Sequence, residues 1–79
     1  MRLSDFWQLV SDEFGEAYGR VLVRDLALTG LAGSTGAQAL GAGVGARDVW
    51  LALCVAMDVP KNRWHGLTLA EKKRAGHAD

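Results

Sequence analysis

The sequence predicts an all-α fold: a compact three- to four-helix bundle with a helix-turn-helix-like corner and a flexible basic C-terminal tail. Three observations carry the prediction. Apolar residues recur at helical spacing in separate stretches of the chain. Glycines and one proline stand where helices of ordinary length would end. The longest apolar run, residues 49–57, is nine residues long and holds two alanines, which favours a buried helix over a strand.

The first helix is predicted over residues 3–14. Leu3, Phe6, Trp7, Val10 and Phe14 fall at i, i+3, i+4, i+7 and i+11, one face of a helix, and Asp5, Gln8, Ser11, Asp12 and Glu13 take the other side. Ser4 is the expected N-cap, with Asp5 complementing the helix dipole in the first turn. Gly15 ends or kinks this helix. The second spans residues 16–28, with Tyr18, Val21, Leu22 and Leu26 repeating at helical spacing and a Glu16–Arg20 pair in the favourable order. Gly30 and Gly33 mark a loop. A short third helix covers residues 36–42, opened by the capping box Thr35–Gln38 and closed by Gly43.

The fourth helix spans residues 46–57. Ala46, Val49, Trp50, Leu53 and Met57 set its inner face, and Asp58 and Pro60 stop it. The core is expected to be Phe6, Trp7, Val10, Phe14, Tyr18, Leu22, Leu26, Leu40, Val44, Val49, Trp50, Leu53 and Met57. Residues 1–64 then form one helical domain. Residues 65–79 form the tail, where Thr68 and Glu71 suit a capping box for a short helix ending at Gly76, with fraying or disorder expected beyond about Leu67.

Composition bounds the rest. The 79 residues suffice for one domain, and a chain this short is of modest stability because it buries only about 60% of its unfolded surface. Residues 1–60 carry four basic against seven acidic side chains, and residues 61–79 five against two, so an acidic body precedes a basic tail. The single cysteine, Cys54, excludes an internal disulfide and suits a reducing compartment. Asp5 and Gln8 interrupt any signal-peptide core, and no apolar run approaches the roughly 20 residues of a membrane span. A cytoplasmic protein without a membrane partner is expected.

Catalysis finds little support. A nucleophile needs a base within hydrogen-bond reach, itself oriented by a third group. The only histidines, His65 and His77, lie in the tail, and Cys54 sits inside the apolar run as a core thiol would. Cys54, His65 and His77 lack metal-ligand spacing. The string Gly30-Leu-Ala-Gly33-Ser-Thr-Gly36 suggests a phosphate loop, but no strand precedes it and no lysine follows its last glycine. We expect no enzyme activity, cofactor or metal.

Two binding readings remain. Residues 35–53 resemble a helix-turn-helix: Ala39 lets two helices approach, Gly43-Val44 makes the turn, and Val49 packs the corner. Against DNA recognition, the second helix offers only Arg47, opposed by Asp48, on an acidic body. In and before the tail, Lys61, Arg63, Lys72, Lys73 and Arg74 are candidate phosphate contacts and Trp64 a candidate base-stacking residue; the competing reading is a solvated terminus with Trp64 folded back on the core. The other reading is a protein partner. Leu51 and Val55 are i, i+4 neighbours away from the inner face of the fourth helix, so Arg47, Asp48, Leu51 and Val55 are a candidate partner surface if they are exposed rather than core.

Several blocks carry a family resemblance: Met1-Arg2-Leu3-Ser4-Asp5-Phe6-Trp7, Asp12-Glu13-Phe14-Gly15, Arg24-Asp25, Gly43-Val44, Arg47-Asp48-Val49-Trp50, Ala52-Leu53-Cys54 and Asp58-Val59-Pro60. Over residues 1–64 the chain resembles the small actinobacterial proteins grouped as domain of unknown function 3046. The resemblance implies no activity, cofactor or site residue. Its genes are often found near those for the recombinase RecA and its regulator RecX, which implies a link to DNA repair or recombination by association only. An Asp-Pro pair commonly opens the fourth helix in that family, where this chain has Gly45-Ala46. The positions of Leu51 and Val55 are usually polar there, which implies that they face outward. The expected function is therefore a non-catalytic protein-interaction module, with a helix-turn-helix-like DNA-binding protein as the alternative.

Overall fold

The computed structural model describes residues 1–64. Four α-helices form the domain: α1 (Leu3–Phe14), α2 (Glu16–Asp25), α3 (Gly36–Gly41) and α4 (Ala46–Ala56). The predicted all-helical architecture holds, with one addition. Strands β1 (Ala27–Leu28) and β2 (Ser34–Thr35) pair antiparallel, Ala27 opposite Thr35 and Leu28 opposite Ser34, around a 3-10 turn at Thr29–Leu31. The expected second helix thus stops three residues early. Leu26 is extended, at φ −80° and ψ 119°, and the ladder carries Leu28 into the core with no exposed surface.

Local chemistry explains the helix ends. Arg2, not Ser4, caps α1: its backbone N–H donates to Asp5 Oδ2 at 3.3 Å, and Ser4 lies within the first turn. Gly15 separates α1 from α2 at φ 85° and ψ 155°, a region essentially reserved for glycine that costs a side-chain-bearing residue about 1–3 kcal/mol. Thr35 and Gln38 form the predicted capping box, Gln38 N–H donating to Thr35 Oγ1 at 3.1 Å and Thr35 N–H to Gln38 Oε1 at 2.9 Å.

Helices α3 and α4 end alike. After α3, Val44 N–H donates to Ala39 O at 2.9 Å and Gly43 N–H to Leu40 O at 3.2 Å. After α4, Val59 N–H donates to Cys54 O at 2.9 Å and Asp58 N–H to Val55 O at 3.2 Å. Both are Schellman ends, with Gly43 at φ 93° and Asp58 at φ 54° in the left-handed position.

The core comprises Phe6, Val10, Leu22, Val23, Leu28, Ala39, Val49, Trp50, Leu53, Cys54 and Val59. Phe14, Leu26, Leu40, Val44 and Met57, expected there, pack partly buried against it. Two expectations fail: Trp7 is 36% and Tyr18 54% exposed. The reason lies at Gly19. A Cβ there would stand 2.5 Å from Val10 Cγ1, so α1 and α2 approach most closely at a residue without a side chain. The buried face of α2 is therefore Gly19, Leu22 and Val23, which turns Tyr18 and Val21 outward. The expected tail helix and the flexibility expected beyond Leu67 concern positions outside the described residues.

Candidate functional site

A groove of roughly 790 Å³ runs between the outer flanks of α1 and α2. Trp7, Gln8 and Ser11 line it from α1, Glu16, Arg20 and Arg24 from α2, and the buried Val10 lies beneath. The close approach at Gly19 explains it: helices that touch at a glycine leave no side chain to fill the space beside the contact. Trp7 stands edge-on to Phe6, ring centroids 5.3 Å apart, which holds the indole upright at the rim. Leu3, one turn earlier, is 53% exposed.

The opposite wall is charged. Arg20 Nη2 reaches Glu16 Oε1 at 3.0 Å along the helix. Arg24 makes two bonds to Asp25, at 3.0 and 3.1 Å, and this hydrogen bonding by the guanidinium holds the Asp25 carboxyl below its usual range. Both pairs are well exposed, so each holds its arginine only weakly and leaves it free to exchange partners.

The residues singled out on α4 do not act as one set. Arg47, Asp48 and Val55 are exposed, Val55 at 67%, while Leu51 is half-buried and packs against the core. The outer face of α4 is thus a narrow apolar strip with one charge of each sign at its start. At the corner before it, Ala39 and Val49 are buried, and Gly43 takes a positive φ.

Lys61, Arg63 and Trp64 lie together at the far side of α1. They form a 3-10 turn, Lys61–Arg63, that folds Trp64 back against the core. Trp64 Nε1 donates to Val59 O at 2.6 Å, and the buried Trp50 Nε1 donates to Trp64 O. Arg63 Nε meets Glu13 Oε1 at 3.0 Å, and Lys61 Nζ lies 5.8 Å from the Trp64 ring centroid. Lys72, Lys73 and Arg74 lie outside the described residues, as do His65 and His77. Beneath this clasp the Cys54 thiol is pushed up to about 12, first by burial and then by the nearby Glu13 carboxylate, so it stays protonated at neutral pH.

Sequence reasoning missed the groove because it assigned Trp7 to the core on spacing alone. The signal that could have found it was the glycine at position 19 within an otherwise regular helix, which marks a close approach rather than a break. Among the described residues no cluster of histidine, cysteine or carboxylate has the arrangement of a metal site. No described helix is long and apolar enough to cross a membrane.

Residues 1–62 match the family described as protein of unknown function DUF3046, and the chain belongs to that family. Comparison with curated proteins and with solved structures gave no match.

Proposed function

We propose that this member of the DUF3046 family is a non-catalytic protein-interaction module that binds its partner through the α1–α2 groove. One observation carries the reading: an exposed tryptophan faces two exposed arginines across an open groove. Tryptophan and arginine dominate binding energy at protein interfaces, because each buries a large surface and offers directional donors. The exposed Val55 and half-buried Leu51, beside Arg47 and Asp48, make a second and smaller contact area on α4. The family's gene neighbourhood, near RecA and RecX, directs the search first to proteins of DNA metabolism.

The test is photo-cross-linking in the native host, with a photoreactive residue at Gln8 in the groove. A discrete adduct that disappears when Trp7 is replaced by alanine supports the reading. Failure of Gln8 to yield any adduct sinks it.

The second reading is DNA binding by the α3–α4 corner, favoured by the packing of Ala39, Gly43 and Val49. Anisotropy of labelled single- and double-stranded DNA, at low and near-physiological salt, separates the two. Salt-sensitive duplex binding lost on Arg47→Ala would move the function to that corner.

A further inference from the structure

We infer that the occupant of the α1–α2 groove is an acidic amphipathic helix, an inference that rests on the groove being the partner site. Three features specify it. The groove is bounded by two α-helices, and a third helix laid along such a pair buries its own apolar stripe against both. Trp7 in the groove wall, with the exposed Leu3 beyond the lining one turn earlier on α1, offers that stripe an exposed apolar surface.

The third feature is charge register. Arg20 and Arg24 are one turn apart on α2, a rise of ~6 Å. A partner helix with carboxylates at i and i+4 repeats at the same ~6 Å, so two acidic side chains meet two guanidiniums without distortion. Glu16 is the only acidic residue lining the groove, and it already engages Arg20 in an exposed pair that exchanges at little cost. The lining charges alone sum to one net positive charge on an otherwise acidic body, and Asp25, outside the lining, holds Arg24 only in an exposed pair that exchanges as readily. That contrast favours a short acidic segment over a nucleic acid, whose long run of phosphates would also meet the exposed Asp5, Asp12, Asp48 and Asp58.

Anisotropy titrations of the full chain test the inference with three labelled probes. One is an amphipathic peptide of leucine and glutamate with glutamates four residues apart, one its lysine-for-glutamate counterpart, and one an oligothymidylate. The expected result is binding of the glutamate peptide at least about tenfold tighter than the lysine peptide, weakening with salt. Charge reversal by R20E with R24E should weaken the glutamate peptide about tenfold or more, with the circular dichroism spectrum unchanged. W7A should weaken both peptides alike, because it removes the apolar wall and no charge.

No binding of the glutamate peptide overturns the inference. So does equal binding of the lysine peptide, indifference to R20E with R24E, or tighter arginine-dependent binding of oligothymidylate. The cross-link from Gln8 separates the two levels: an adduct that persists in the charge-reversed protein leaves the interaction module standing and removes the acidic helix.

Discussion

The two flanks of α1 use the same residue types to opposite ends. On one flank Trp50 is buried with its indole N–H bonded to Trp64 O, Phe14 stands edge-on to it at 6.3 Å, and Arg63 crosses 50 residues of sequence to pair with Glu13. On the other, Trp7 is partly exposed, and Arg20 and Arg24 pair only with acids of their own helix. A tryptophan and an arginine close the domain on one side and leave a binding surface on the other. The difference lies in whether a distant segment returns to cover them. The stretch from Val59 to Trp64 does so on the first flank, while on the second Gly19 leaves no side chain to fill the space beside the contact of α1 with α2.

The largest break in this comparison is a matched pair. Trp50→Ala should cost about 3–5 kcal/mol, most of the stability of so small a domain, whereas Trp7→Ala should cost about 1–2 kcal/mol and chiefly remove binding. Urea unfolding followed by circular dichroism reads both, and equal losses would show that the flanks do not differ. Next, Gly19→Ala tests the cause of the groove. The alanine gains helix propensity of about 1 kcal/mol, but its Cβ meets the stiff Val10 side chain at 2.5 Å and Val10 O at 3.3 Å. A net loss of about 1–2 kcal/mol is expected; a stabilised protein would mean that the helices separate freely.

Asp58→Gly should stabilise by about 0.5–1 kcal/mol, since it matches the end of α4 to the glycine that ends α3. An unchanged melting temperature would indicate that Asp58 relieves its positive φ in another way. Smallest is Glu13→Gln, which removes the ion pair across the closed flank and should cost about 0.5 kcal/mol.

The closed flank also predicts a pH response. Cys54 is raised from 9.0 to about 12 in the folded chain, so the unfolded thiol ionises first. The thiol's contribution to stability is complete below pH 9.0 and is lost as pH rises towards about 12. At neutral pH a thiol reagent should label Cys54 only as fast as the domain opens; rapid labelling would show the clasp to be loose.

Much of the fold was legible because its signals are local. The bounds of α1, the Thr35–Gln38 box, the glycine after α3 and the stop at Asp58 all follow from residues within one helical turn of each other. Helical spacing extends α2 through Leu28 because the partner strand lies beyond the 3-10 turn, and a two-residue ladder leaves no periodicity to detect. Spacing alone puts Trp7 and Tyr18 in the core, because it says which residues share a face, not how wide a stripe the neighbouring helix covers. On α4, spacing joined Leu51 to Val55, yet the core reaches round the helix far enough to take half of one and little of the other.

The sequence by itself determined that the chain is helical, where most of its helices begin and end, and that its fourth helix is central. These are set by capping, glycine conformation and apolar period, which act between near neighbours. Only the tertiary structure decided which tryptophan is structural and which is offered to solvent. That choice rests on the approach of α1 to α2 at a single glycine and on the return of the chain at Trp64, contacts between residues that sequence proximity does not connect.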